Sequence, residues 1–376
     1  MPPEEVTVAP AIGCPASSDT TPRTVTPRGF RNSAALSPAT ISSFAGPFNA
    51  RPLAPPNIPN CGLYMLEPYD PHKMPVLMVH GFWSSLMTWM EMFNDLRGSR
   101  VIRDHYQFWF YLYPTGPPYW FTASHLRQQL AEARQALDPN HSAATMDQTV
   151  LVGHSMGGLM ATMQTIESGN DLWKLVSREP PERIVCVPAT LNSLSQTFFF
   201  SPNPSIRRVV TIATPHNGSN FSNVATQWLG RKLINLPEEL LENRDRLFEQ
   251  NPNVFPENGL LSITTSVEAL GPSSPAWKFL ATAPRAPWVR YHNIIGSLEE
   301  AKLLGAVAGK SDGIVKVESA RIPYAESEII VPSEHTQVHR QPAAILEVRR
   351  ILLQHLSEMR ASHQLVNRYG LISQRE

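Results

Sequence analysis

The segment Thr149-Val150-Leu151-Val152-Gly153-His154-Ser155-Met156-Gly157-Gly158-Leu159-Met160-Ala161 joins two apolar runs through a turn bracketed by glycines. Residues 149–153 are β-branched or apolar without interruption, the pattern of a strand buried on both faces, and Leu159-Met160-Ala161 opens a helix. Between them stands Gly-x-Ser-x-Gly, the arrangement that holds a serine on a sharp strand-to-helix turn. Such a turn strains the backbone of Ser155, and side chains two residues to either side would strike the neighbouring strand and helix. Glycine at 153 and 157 removes those clashes. The Ser155 hydroxyl is therefore expected at the carboxyl edge of a sheet, with the positive end of a helix behind it.

Further buried-strand runs lie at 74–80, 107–113, 208–214, 291–296 and 327–331, and helical periodicity marks 123–137 and 342–356. Strand and helix alternate, so the expected class is α/β, a mostly parallel central sheet flanked by helices. Alternation fails over 217–288, where helical fragments and prolines replace any strand. That insertion, with a second loop at 177–205 holding Phe198, Phe199 and Phe200, has the look of a cap or lid, the competing reading being peripheral packing.

Composition sets the limits around this core. The 376 residues carry 32 Lys and Arg against 32 Asp and Glu, a balance that argues against a nucleic-acid binder, which needs a basic face. No run of eighteen apolar residues suggests a membrane span. No secretion signal is visible, so the chain reads as cytoplasmic, or as a mature secreted form with its signal removed. Cys14, Cys61 and Cys186 form no C-x-x-C pair; a Cys61 to Cys186 bridge and free thiols both stay open. Twelve of the 35 prolines fall within the first sixty residues. The expected organisation is a proline-rich arm over 1–58, a catalytic domain over 59–360 and a tail over 361–376. Deletion before about residue 51 should spare activity, and deletion of 217–288 should not.

Three further features follow in the order that acyl-transfer chemistry requires. His80-Gly81-Phe82 closes the run at 75–79, where a tight turn can aim the Phe82 N–H at the site; the Met156 N–H supplies a second donor for an oxyanion. His80 precedes the nucleophile and is read as orienting that loop. Next comes Ser311-Asp312-Gly313, read either as an ordinary Asp-Gly turn or as the acid that holds an imidazole tautomer. Its place between Ser155 and the last histidines favours the acid, with Glu299, Glu300 and Glu318 as poorer substitutes. Finally His335 follows the strand at 327–331 and can take the Ser155 proton, while His339, four residues on, is given a structural or rim role.

Together with Thr214-Pro215-His216-Asn217-Gly218-Ser219, these segments resemble the α/β-hydrolases of the lipase and carboxylesterase type. They are similar to the bacterial triacylglycerol-lipase-like and inositol-deacylase-like groups, over about residues 62–356. The resemblance implies a Ser155, Asp312, His335 triad, a Phe82 and Met156 oxyanion hole, and a pocket wall near His216. The proline-rich arm and the insertion have no specific counterpart there.

The expected function is hydrolysis of apolar esters, small-molecule or lipid, through an acyl-enzyme. Pocket candidates are Trp83, His154, Tyr113, Trp120 and His216, with Trp89, Tyr119 and Phe121 as further aromatics that are either wall or core. An amidase with the same triad, or a non-catalytic binding protein on the same fold, are the alternatives. No metal site and no organic cofactor are expected; some lipases of this fold carry a structural calcium, but no acidic cluster here obliges one.

Overall fold

The computed structural model describes residues 61–219, 238–298 and 310–370. The expected arm over 1–58, Cys14, Glu299 and Glu300, and the last six residues of the tail lie outside them. Among the described residues, seven strands form one sheet in the order β1-β3-β2-β4-β5-β6-β7. They are β1 (Gly62–Met65), β2 (Met74–Val79), β3 (Tyr106–Leu112), β4 (Thr149–His154), β5 (Ile206–Ile212), β6 (Arg290–Ser297) and β7 (Ser327–Pro332). All pairings are parallel except that of β1 with β3.

The helices are α1 (Met90–Gly98), α2 (Arg100–His105), α3 (Tyr119–Leu137), α4 (Met156–Thr162), α5 (Pro188–Phe198), α6 (Glu238–Gln250), α7 (Ser266–Leu270), α8 (Ala276–Thr282), α9 (Val317–Ala320) and α10 (Pro342–Gly370). Strand periodicity divides the core into two layers. Met74, Val76 and Met78 of β2, with Val150 and Val152 of β4, meet α1, α2 and α10 on one face. Leu77, Val79 and Leu151 meet α3, α4, α5, α7 and α8 on the other. Burial on both faces stabilises the central strands by about 1.5–3 kcal/mol for each large apolar side chain.

Departures from expectation have local causes. β1 was not expected, because four residues opening on glycine and half exposed at their end carry little strand signal. The segment 177–205 holds α5, whose Thr, Asn and Ser residues mask helical periodicity; Pro188 at its start supplies a preset φ. Phe198 and Phe200 are buried against Phe121, Trp173 and the guanidinium of Arg127, so the triple phenylalanine is core and not a lid surface. α10 runs to Gly370, past the domain boundary expected at residue 360.

Part of the expected cap, 220–237, lies outside the described residues. The rest packs into the second core layer through Leu247, Phe255, Leu260, Leu270, Trp277 and Phe279. Cys61 and Cys186 are unbridged thiols.

Candidate active site

β4 delivers Ser155 into the turn with φ 53° and ψ −123°, a conformation costing on the order of 1–3 kcal/mol for a residue with a side chain. The cost is offset by the enclosure. A Cβ on Gly153 would lie 2.5 Å from the Gly157 carbonyl, and one on Gly157 would lie 2.2 Å from the Val79 oxygen, so both motif glycines are demanded by contact. The Ser155 N–H donates to the Ile212 carbonyl at 2.8 Å, pinning the turn to β5.

The Ser155 hydroxyl donates to His335 Nε2 at 2.9 Å, and His335 Nδ1 donates to Asp312 Oδ2 at 2.7 Å. The other carboxylate oxygen, Oδ1, accepts the backbone N–H groups of Ile314 at 3.0 Å and Val315 at 2.7 Å. The His335 N–H donates to the Asp312 carbonyl at 2.9 Å, so acid and histidine are joined through main chain as well as side chain. All three residues are buried. Gly296 lets the acid loop approach β6, since a Cβ there would lie 2.9 Å from the Asp312 Cβ. The hydrogen-bond sequence gives His335 a lone pair on Nε2, facing the serine proton.

The His80-Gly81-Phe82 turn runs directly over the serine: a Cβ on Gly81 would come within 3.0 Å of the Ser155 Cβ. His80 stacks on Tyr113 with ring centres 4.2 Å apart, and donates from Nδ1 to the Gly81 carbonyl at 2.9 Å. The Tyr113 hydroxyl donates to the His80 carbonyl at 2.5 Å. Burial pushes His80 down to about 4, keeping it neutral. Phe82 and Trp83 are half-buried and stacked on each other, with Trp83 at φ 54°. Met156 begins α4 directly after the serine, and its side chain is fully buried.

The pocket candidates separate. Tyr113 is committed to the His80 stack, and Trp120 is buried edge-on to Tyr119 in the core. Trp89 lies on the opposite face of the sheet, against His339. Phe121 packs on Phe198. His216 donates from Nε2 to the Thr211 hydroxyl at 3.3 Å, which donates on to Asn293 at 2.9 Å; burial holds His216 down at about 3. His154 continues the alternation of Val150 and Val152, which face α1 and α10, and its Nε2 lies 2.9 Å from the His335 carbonyl oxygen. His339 is core, bonded through Nε2 to the Thr88 hydroxyl at 2.6 Å.

One element at the rim was not anticipated. The Ser266 N–H donates to the Gly116 carbonyl at 2.8 Å and its hydroxyl to the Thr115 carbonyl at 2.6 Å, in the loop after β3. At the other end of α7 the Ser219 N–H donates to the Leu270 carbonyl at 3.0 Å, in the loop after β5. α7 thus links the loop after β3 to the loop after β5, the two strands between which β2 and β4 lie in the sheet. The Ser219 hydroxyl also donates to the Ile314 carbonyl at 2.6 Å, beside the acid. The sequence signal for α7 was the capping box Thr265-x-x-Glu268, with both reciprocal bonds formed.

Among the described residues no group of three or more His, Cys, Asp or Glu side chains is placed to hold a metal ion, and no helix is long and apolar enough to cross a membrane. A profile of the Alpha/beta hydrolase family matches residues 76–348. The comparison with curated proteins returned no match. Similar solved structures include the mature form of Bacillus licheniformis lipase BlEst2, at 17% identity over 77% of this chain and 97% of that one, with a TM-score of 0.45. EstA from Clostridium botulinum is 15% identical over 74% of this chain and 87% of its own, with a TM-score of 0.44. The metagenomic carboxyl esterase MGS0156 is 15% identical over 76% of each chain, with a TM-score of 0.41.

Proposed function

The chain belongs to the Alpha/beta hydrolase family, and from that premise we propose that it is a serine carboxylic-ester hydrolase acting on apolar esters. His335 Nε2 removes the Ser155 proton as Oγ attacks the ester carbonyl. The resulting imidazolium is stabilised by the Asp312 carboxylate, whose charge is held by two backbone N–H groups. The oxyanion is received by the N–H groups of Phe82 and Met156, each contributing about 3 kcal/mol to lowering the barrier. His335 then gives its proton to the leaving alkoxide, the alcohol departs, and a water activated by the same histidine releases the acid from the acyl-enzyme.

The observation that carries this reading is the unbroken line of two hydrogen bonds, 2.9 and 2.7 Å, from Ser155 through His335 to Asp312. Ser155→Ala should abolish hydrolysis of p-nitrophenyl esters and covalent labelling by a fluorophosphonate; turnover retained in that variant overturns the assignment. A panel from acetate to palmitate esters, with and without an interface, sorts esterase from lipase. Parallel amide substrates test the ester preference.

A further inference from the structure

Two histidine rings, His154 and His339, lie against each other behind the proposed base, His335. The His154 ring centre is 4.4 Å from that of His339 and 5.1 Å from that of His335. His154 Nε2 lies 2.9 Å from the main-chain carbonyl oxygen of His335. A carbonyl only accepts, so Nε2 carries the proton and Nδ1 the lone pair. Nδ1 faces Gly81, where a Cβ would come within 2.8 Å of it, and it has no hydrogen-bond partner among the described residues. His154 therefore touches the oxyanion loop on one side and the main chain of the base on the other. His339, against its far face, is anchored through Nε2 to the hydroxyl and carbonyl of Thr88.

His335 opens the 3-10 helix His335–Arg340, and three hydrogen bonds from outside that helix hold it behind the serine. Two come from Asp312, which accepts its ring Nδ1–H and its main-chain N–H. Both come from one residue, on the acid side. The third, at its carbonyl, comes from His154. We infer that His154 is a positioning residue for the proposed ester hydrolysis: by holding the His335 carbonyl it fixes where Nε2 stands over Ser155. This rests on Ser155, His335 and Asp312 forming the triad. Burial, with His339 and His335 close by, holds the His154 pKa well below the ordinary range, so the donor geometry persists with the ring neutral.

The test compares three variants of the full chain. His154→Gln places an amide N–H near the Nε2 position, His154→Met keeps the bulk without a donor, and His154→Asn keeps a donor one methylene too short. A displacement of about 1 Å at a reacting group costs on the order of 100-fold. The Met and Asn variants should accordingly lose about 10- to 100-fold in kcat, with KM within about twofold of wild type and Ser155 still fully titratable by prolonged fluorophosphonate exposure. His154→Gln should recover to within about threefold of wild type. Equal activity in all three overturns the inference, and so does a loss that follows the fraction of titratable serine, since that marks a folding defect. Should the Met variant fail to fold, the Gln and Asn pair decides by the same criterion. Wild-type protein that neither hydrolyses esters nor takes the label overturns the hydrolase reading first, and the inference with it.

Discussion

The carboxylate of Asp312 divides its two oxygens between different tasks: Oδ2 faces His335 Nδ1 at 2.7 Å, and Oδ1 is held by the amides of Ile314 and Val315. In Asp312→Asn the remaining carbonyl oxygen keeps those two amides, which turns the new NH2 toward His335. The imidazole then places its proton on Nε2 and can no longer accept from Ser155. The expected result is a fall in kcat of about 10⁴-fold with little change in melting temperature, read from ester hydrolysis beside thermal unfolding. A loss below tenfold would show that Asp312 does not set the tautomer.

Gly158, at the start of α4, touches Thr214 of the loop after β5: a Cβ there would lie 1.9 Å from the Thr214 hydroxyl oxygen. Thr214 is fully buried and has little room to move. Gly158→Ala should therefore destabilise by about 1–3 kcal/mol, the usual range for overpacking. Adding Thr214→Ala removes the nearest atom and should return most of that loss. Strictly additive urea midpoints for the two changes would contradict the contact.

Acid should unfold the protein early. Burial pushes His80, His292 and His355 down to about 4, and His216 and His339 to about 3, against an ordinary value near 6.5. Between those values the unfolded chain binds protons that the folded chain excludes, so stability is full above about pH 6.5 and falls as the pH drops toward 4 and 3. Each histidine costs about 1.4 kcal/mol per pH unit inside that window, and five together about 7. A domain's whole stability is of the order of 5–15 kcal/mol, so unfolding should set in within about two units below pH 6.5. Calorimetry from pH 7 to 5 checks this; an unchanged melting temperature would mean that the histidines are hydrated.

Arg208 is 1% exposed, donating to His292 at 2.7 Å and to Glu358 at 2.6 Å, while its Nε has no partner among the described residues. Arg208→Ala should cost about 1–3 kcal/mol, because it leaves the buried His292 Nε2 without its partner, while Glu358 keeps Gln354 at 2.8 Å and Arg290 at 3.6 Å. Glu358 is 39% exposed, so Glu358→Gln should cost only about 0–1 kcal/mol. Chemical denaturation of the two variants side by side measures the asymmetry.

The sheet was legible where strands are buried on both faces: β2 through β6 fall within about two residues of the apolar runs, because continuous burial leaves a continuous signature, while the exposed edge strand β7 was marked by its Ile329-Ile330-Val331 run. β1 and α5 were not, since one is a short antiparallel edge and the other a helix of small polar residues. That Ser155, Asp312 and His335 come together was legible because the turn that carries a strained serine demands glycines, and an aspartate and a histidine follow it after later strands. Which aromatics join which core layer was not, because an aromatic residue's identity does not say which face of the sheet it packs on. For His154 the signal was present: it continues the alternation of Val150 and Val152, which face α1 and α10.

α10 bears on how the chain comes off the ribosome. Val348, Ile351, Leu352 and Leu356 cover the sheet face shared with Met92, Leu96 and Ile102, and the Tyr106 hydroxyl donates to the Leu352 carbonyl at 2.7 Å. A nascent chain that has already made β2, β3 and β4 therefore leaves the part of that face not covered by α1 and α2 bare until residues 342–356 emerge, the kind of surface that draws chaperones and aggregates. The proposed base lies in that same late stretch, so a chain terminated before Pro332 carries the serine without its histidine. The proposed base and the cover of this sheet face thus arrive in one continuous stretch of chain, residues 335–356.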